Sequence, residues 1–357
     1  MAQHVKVAVF GCGRWGGNIV RNLADLDALA AVVDPTAAGR IRAEKIAPGV
    51  RVLEAPEAIL EDPEIDAVMI ATPAQTHFEL ASLCLAAGKD VFVEKPLTFE
   101  LSAAAELATQ AERAGRILMV GHLLEYHPAI LKIEELLRSG ALGTLRYIVS
   151  QRLDSSPART EQSAVWAFGP HDVSVILRLV ASRPSEAAAT AGSWVVPGEP
   201  DVVSANLAFD GGVHAQVLLS WLHPVKERKL WVAGSERTVS YDDVSKELVL
   251  YGAGEPPEHR SEIGPSGAGQ PVAYPGAEPL QAECAHFLAC VAHREKPRTD
   301  SWSALRVLEV LQAWDRSIEA NGSPVRLTAN RPETSHGAHG HARGTGTRRS
   351  ATQIRPV

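Results

Sequence analysis

Glu94, Lys95 and Pro96 close a short apolar run, Val91-Phe92-Val93, and bring two opposite charges and a proline to one point. Gly88 breaks the chain just upstream. A run of this length without polar alternation reads as a strand buried on both faces of a parallel sheet. In an open α/β sheet the carboxyl ends of the strands face the ligand crevice, so Glu94 and Lys95 fall where chemistry occurs. Pro96 fixes its own φ and drives Lys95 out of the helical region, which aims the lysine. A solvated Glu/Lys pair ending a strand reads the same way. The residues upstream decide between the two.

Residues 5–10, Val-Lys-Val-Ala-Val-Phe, form a strand pattern that runs into Gly11-Cys12-Gly13-Arg14-Trp15-Gly16, and an apolar helix pattern follows from residue 19 to about residue 29. A Gly-x-Gly-x-x-Gly motif after a strand and before a helix is in the context a dinucleotide fold requires. Gly11 permits the tight turn, Gly13 lets the backbone approach a pyrophosphate, and Gly16 lets helix and strand pack closely. The helix N-terminus then offers unpaired N–H groups to the phosphates. The next strand pattern, residues 30–33, ends in Asp34. An acid at this distance meets the adenosine ribose hydroxyls and repels a 2′-phosphate, which reads as NAD rather than NADP. A turn acid before Pro35 has the same sequence. Trp15 is placed to wall the nicotinamide pocket, or to pack on the adjacent helix.

Residues 66–71 form a third buried strand, ending in Thr72-Pro73, and a helix runs from about His77 to residue 87. After Lys95, Thr98 is placed to cap a helix over residues 101–114, and residues 117–120 make one more strand. Strand and helix alternate, so residues 1–121 read as a doubly wound parallel domain, a Rossmann fold that holds NAD. His122 and Tyr126 follow its last strand and so point toward the crevice. From about residue 143 the pattern changes to alternation, with turn signals at Asp210-Gly211-Gly212 and Gly234-Ser235. Residues 122–330 are therefore expected to be an α+β domain with an open, mostly antiparallel sheet that binds substrate and mediates oligomerisation. Residues 252–278 are a Gly/Pro-rich loop, long enough for a lid or a subunit contact. Residues 331–357 have no core pattern and read as a disordered tail.

The 357 residues suffice for two cores, and 45% hydrophobic with 22% charged residues is ordinary for a soluble globular chain. A net charge of −7 without a basic helix argues against a nucleic-acid partner. No apolar run spans a membrane, and the N-terminus carries no signal-peptide pattern. Four cysteines without C-x-x-C spacing read as reduced thiols, so a cytoplasmic protein is expected. His286, Cys290 and His293 fall on one helical stripe, but their apolar surroundings favour core packing over a metal.

Together, the glycine loop with Trp15, Thr72-Pro73 with His77, Glu94-Lys95-Pro96-Leu97, and a one-sided sheet domain resemble the glucose–fructose oxidoreductase / inositol 2-dehydrogenase / rhizopine-catabolism family. Gly121-His122-Leu123-Leu124-Glu125-Tyr126-His127-Pro128 and Trp166-Ala167-Phe168-Gly169-Pro170-His171-Asp172 look like its nucleotide-sugar 3-dehydrogenase branch. The resemblance implies catalytic roles for Lys95 and His171. It also implies cofactor contacts from Gly11, Gly13, Arg14, Trp15, Gly16, Asp34, Thr72, Pro73, His77, Glu94, Lys95 and Pro96. The chain departs from the family at Ala167, where many members carry an aspartate four residues before the active-site histidine. It departs again at Arg152-Leu153-Asp154-Ser155-Ser156-Pro157, where the branch commonly has Arg-Leu-Asn-Leu-Gly.

The chemistry expected is oxidation of a secondary alcohol, with Lys95 stabilising the alkoxide and either Lys95 or His171 taking the proton. Asp172 reads as a first-turn acid at the start of a helix over residues 173–180. Arg152 and Arg159, on a loop after a strand, could clamp a diphosphate or carboxylate, or be solvated. Substrate contacts are expected from Lys95, His122, Tyr126, Arg152, Arg159 and His171, and a homodimer or homotetramer from the uncovered sheet face. The substrate expected first is a nucleotide sugar oxidised at C3, such as UDP-N-acetylglucosamine or its uronic acid. A free sugar, sugar phosphate or cyclitol dehydrogenase, an NAD-using glycosidase and a sugar- or dinucleotide-sensing regulator are the alternatives.

Overall fold

Along each strand of the first sheet, successive side chains enter two different cores. The computed structural model behind this description covers residues 4–155, 163–195, 197–252 and 269–327. The sheet comprises β1 (Val7–Phe10), β2 (Leu29–Val33), β3 (Arg51–Leu53), β4 (Ala67–Ile70), β5 (Asp90–Glu94) and β6 (Leu118–Gly121). All are parallel, in the order β3-β2-β1-β4-β5-β6. Val7, Val9, Val32, Met69, Phe92 and Met119 face one side, where α1 (Gly16–Asp25) and α2 (Ala37–Ile46) pack. Ala8, Phe10, Val68, Ile70, Val91, Val93 and Val120 face the other, toward α3 (Glu57–Leu60), α4 (His77–Ala86) and α5 (Leu101–Ala114). Burial on both faces is why these strands read as continuous apolar runs. α5 starts one step differently from the sequence expectation: its N-cap is Glu100, and the Thr98 hydroxyl donates to the Glu100 carbonyl instead of capping the helix.

After α6 (Pro128–Arg138) the chain enters a second sheet. It contains β7 (Leu145–Ser155), β8 (Pro184–Gly192), β9 (Val202–Phe209), β10 (His214–Ser220), β11 (Leu222–Gly234), β12 (Thr238–Asp242), β13 (Glu247–Tyr251), β14 (Gln270–Pro271) and β15 (Val325–Arg326). Their order is β14-β13-β12-β11-β7-β10-β9-β8-β15. β7 and β10 run parallel and the other pairs antiparallel, so the sheet is mixed but mostly antiparallel. Gly211 and Gly212 turn β9 into β10 with φ of +91° and +85°, a region that side chains avoid. α7 (Ala164–Val180) and α9 (Ser301–Glu319) pack the inner face. α7 and α9 approach so closely that a Cβ on Gly169 would stand 2.8 Å from Leu311.

α8 (Pro279–His293) returns to the first sheet. Its Leu280, Cys284, Phe287, Cys290 and Val291 join the core of Val7, Val9 and Phe92. It thereby covers strands that α1 and α2 leave bare. No helix among the described residues is long and apolar enough to cross a membrane. The long loop of the sequence reading falls largely, and the tail wholly, outside the described residues.

Candidate active site

Adjacent parallel strands deliver the central residues. β5 pairs with β6 so that Glu94 stands beside Gly121, and the chain then continues into Lys95 on one strand and His122 on the other. α7 crosses these strand ends. The Lys95 ammonium donates to the backbone carbonyl of Ala167, 3.4 Å away and one helical turn before His171. Ala167 is the position where the resemblance implies an aspartate, so a main-chain oxygen meets Lys95 there. The Lys95–Pro96 peptide is cis.

Lys95, His171 and His122 thus come together. His122 is buried, and neither ring nitrogen has a partner among the described residues. Burial, and then the charges of Lys95 and Arg178, push its pKa down to about 3. His171 Nδ1 is likewise unpaired among the described residues. Burial first, then Lys95, Arg152, His122 and Arg228, hold its pKa well below the ordinary range. Both imidazoles are therefore neutral at physiological pH.

The glycine loop sits at the carboxyl end of β1. Gly11 has φ +90°, and a Cβ there would lie 2.8 Å from the Ala71 carbonyl oxygen. A Cβ on Gly16 would lie 2.0 Å from the Gly11 carbonyl oxygen, whereas one on Gly13 would meet nothing within 4 Å. Gly13 and Arg14 are exposed at the N-terminus of α1, which has no side-chain cap. This open, uncapped backbone fits a dinucleotide pyrophosphate. Asp34 ends β2 almost fully buried. Its Oδ2 accepts from the Cys12 N–H at 2.7 Å, and its Oδ1 accepts from the Thr36 N–H and hydroxyl. Burial alone would raise its pKa, but these hydrogen bonds outweigh it and hold the carboxyl below the usual range. Trp15 is 40% exposed, and its indole N–H donates to Glu94 Oε1. Glu94 Oε2 accepts from the Lys95 N–H at 3.1 Å. Trp15, Glu94 and Lys95 therefore form one connected wall.

Other candidate residues stand elsewhere. His77 is buried between two loops, with Nδ1 2.8 Å from the Pro96 carbonyl and Nε2 3.0 Å from the Thr72 carbonyl. It staples the end of β4 to the turn after β5 and offers no free nitrogen to a cofactor. The Thr72 hydroxyl pairs with that of Thr76, and Pro73 is exposed. Tyr126 points away from the crevice: its hydroxyl lies 3.1 Å from Thr299 Oγ1 and its ring packs on His286. It turns inward because the 3-10 turn Leu123–Tyr126 lies against α8.

Arg152 is not on a loop. β7 extends past it to Ser155, and its inward-facing guanidinium is clamped on Asp172 at 2.6 Å and 3.2 Å. Asp172 in turn is not a first-turn acid, because α7 begins at Ala164 and passes through Pro170. The Gly169-Pro170 pair reads as a break, yet Gly169 is the close-approach point for α9 and packing carries the helix through. Arg159 lies outside the described residues. Sequence reasoning missed Arg228, Tyr241 and Asp243, which line a small cavity beside Arg152 and Asp172. They come from β11, β12 and the turn that follows, and only tertiary pairing brings them beside Arg152 and Asp172. His286 Nε2 accepts from the Arg298 N–H at 2.9 Å and lies 3.4 Å from Cys290 Sγ.

Two domain descriptions match the chain. One is an oxidoreductase family with an NAD-binding Rossmann fold, over residues 5–122, and the other is the GFO/IDH/MocA C-terminal domain, over residues 130–240. The chain belongs to the GFO/IDH/MocA oxidoreductase family. It is an NAD-binding oxidoreductase of that family. It is 28% identical to the UDP-N-acetylglucosamine 3-dehydrogenase of Acidithiobacillus ferrooxidans over 320 residues, 89% of this chain and 98% of the relative. A crystal form of that enzyme superposes with a TM-score of 0.78 at 26% identity, covering 89% of this chain and 99% of that one. The scyllo-inositol 2-dehydrogenase (NAD(+)) of Bacillus subtilis is 26% identical over 94% of this chain and 99% of its own. Levoglucosan dehydrogenase in complex with NADH and levoglucosan shares the fold, with a TM-score of 0.81 at 18% identity and coverage of 91% and 99%.

Proposed function

We propose that this protein oxidises a secondary alcohol of a nucleotide sugar, at C3, and passes the hydride to NAD. The observation that carries the reading is the meeting of Lys95 with two neutral histidines at the strand ends, beside the glycine loop. Similarity along nearly the whole length of a UDP-N-acetylglucosamine 3-dehydrogenase supports the sugar class. Gly11, Gly13, Arg14, Gly16 and Asp34 would hold the dinucleotide, with Trp15, Glu94 and Pro96 walling the nicotinamide end. When bound, the nicotinamide supplies the hydride acceptor. Lys95, entering as the neutral amine, takes the substrate hydroxyl proton, and the ammonium so formed stabilises the developing alkoxide and passes the proton on to solvent. His171, neutral and beside Lys95, orients the hydroxyl. The test is to screen nucleotide sugars, sugar phosphates and cyclitols for NADH formation. Efficient turnover of a free cyclitol, with none of UDP-N-acetylglucosamine or its uronic acid, would overturn the sugar assignment and leave the dehydrogenase reading intact.

Asp34 sets the choice of dinucleotide in this scheme. Its fixed, ionised carboxylate accepts from ribose hydroxyls and repels a 2′-phosphate. Asp34→Ala is expected to weaken NAD binding by about tenfold or more, the worth of hydrogen bonds to a charged group. NADP binding should weaken little, so the ratio of kcat/KM values for the two dinucleotides should move toward unity. Wild-type preference for NADP would refute the role.

The outer face of the second sheet is the proposed contact between copies. Tyr147 is 48% exposed there, and Trp231 stacks on Tyr251 at 5.6 Å beside the half-buried Val149, Leu218 and Val249. Light scattering should show a dimer or tetramer at micromolar concentration. Trp231→Glu should reduce the assembly to monomers while NADH still binds, and a wild-type monomer would count against the proposal.

A further inference from the structure

Glu283 on α8 is fully buried, and neither of its carboxyl oxygens has a hydrogen-bond partner among the described residues. Its buried neighbours along the helix are Leu280, Cys284, Phe287, Cys290 and Val291, an apolar setting in which an ionised carboxylate is costly. No step of the proposed chemistry uses it.

The register of α8 on β5 shows where it points. Arg294, just past the end of α8, pairs with Asp90 at the start of β5 at 2.5 Å. In the middle, Phe287 meets Phe92 edge to face with ring centroids 5.8 Å apart. Helix and strand are therefore antiparallel. Glu94 lies two residues beyond Phe92 on the same strand face, about 7 Å along. Glu283 lies one turn before Phe287 on the same helix face, about 6 Å back. The two carboxyl groups thus face each other at the carboxyl end of the sheet. Gly121 leaves the room they need, since a Cβ there would stand 3.0 Å from Glu94 Oε2.

We propose that Glu283 is a carboxylic acid that donates a hydrogen bond to the Glu94 carboxylate and acts as the positioning residue for the Trp15–Glu94–Lys95 wall. Glu94 already accepts from the Trp15 indole and the Lys95 N–H, and a third donor from below fixes its rotamer. Burial raises the pKa of both groups, and the charges of Glu94 and Glu125 raise that of Glu283 further. Among the described residues the arginines near Glu283 pair with other acids, Arg298 with Glu134 among them. Arg21 of α1 pairs with Glu278, Arg178 of α7 pairs with Glu125, and Arg294 pairs with Asp90. Lys95 follows Glu94 on the crevice side, while Tyr126 and Cys284 are buried with raised pKa values and stay neutral. The hydrogen bond is a property of the free protein. Its effect on the dinucleotide rests on the assignment of Trp15 and Glu94 to the cofactor crevice.

Infrared difference spectra of the full-length protein provide the first arm of the test. At neutral pH the carbonyl band of a protonated carboxylic acid should be present, should disappear in Glu283→Gln, and should persist in a Glu125→Gln control. The second arm is NADH affinity measured by fluorescence between about pH 6 and pH 9. Wild-type affinity should fall by about tenfold as the acid ionises and two carboxylates face each other. Glu283→Gln, whose amide donates the same hydrogen bond and does not titrate, should keep the neutral-pH affinity and show a flat profile. Glu283→Ala should bind about tenfold more weakly throughout. If the alanine variant does not fold, the glutamine variant and the wild-type titration still decide. Absence of a Glu283-dependent acid band would overturn the proposal. A band with identical NADH profiles in wild type and Glu283→Gln would overturn the positioning role. If wild type binds no NADH, the cofactor assignment fails while the infrared arm still judges the hydrogen bond.

Discussion

Lys95→Met is expected to lower turnover by at least about 10²- to 10⁴-fold, the range for loss of a general base, while NADH binding stays measurable. His171→Ala is expected to be the milder lesion. The asymmetry follows from the surroundings of the two groups. Lys95 donates to the Ala167 carbonyl, which holds its amine in place and, unlike a carboxylate at position 167, adds no negative charge there to favour protonation. His171 has no carboxylate on Nδ1, and burial together with Lys95, Arg152 and Arg228 opposes its protonation. A group held below its ordinary pKa from several sides is a poor acceptor for the proton of an alcohol. Lys95 carries the proton chemistry on this reading, entering as the neutral amine and becoming the ammonium when it takes the hydroxyl proton, and His171 orients the hydroxyl. The measurement is single-turnover NADH formation by each variant alongside NADH titration. Near-normal turnover by Lys95→Met, or a heavier loss in His171→Ala, would reverse the assignment. Restoring the aspartate with Ala167→Asp supplies a second check: it should raise the pKa of His171 and shift the acid limb of the pH–rate profile upward.

Legibility in the sequence tracked how local each feature is. The glycine loop, Asp34 and Glu94-Lys95-Pro96 are strand-end features, and a buried parallel strand announces itself as an apolar run. The Rossmann sheet was readable for that reason, as was the family, while the mostly antiparallel second sheet showed itself by polar–apolar alternation between turn signals. β3 was invisible because Arg51-Val52-Leu53 is a short edge strand with little apolar signal. The start of α7 was misread because Gly169-Pro170 imitates a break, whereas the helix runs from Ala164 to Val180 with Leu311 of α9 packed on Gly169. The orientation of Tyr126, the stapling of His77 and the burial of Glu283 all depend on α8 returning from residue 279 to the first sheet. No local pattern encodes a contact made across so much chain. A lone acid on the apolar stripe of Leu280, Cys284, Phe287 and Val291 was the signal that could have exposed Glu283.

Arg152→Met is expected to destabilise the protein by about 3–5 kcal/mol, the cost of leaving one member of a buried ion pair alone. Arg152 and Asp172 are 7% and 4% exposed, joined by two hydrogen bonds, and Ser150 donates a third to Asp172 at 2.6 Å. Removing the guanidinium strands a carboxylate between β7 and α7, beside His171. The double variant Arg152→Met with Asp172→Leu removes both charges and should recover most of the lost stability, since apolar replacement of a buried pair is often neutral or better. Urea unfolding of the two variants and the wild type measures the difference, with m-values compared to confirm that one transition is observed in each. A diphosphate clamp predicts the opposite pattern. Arg152→Met would then keep its stability and raise KM for a nucleotide sugar, and adding Asp172→Leu would bring no recovery. The commitment of the guanidinium to Asp172 favours the structural outcome.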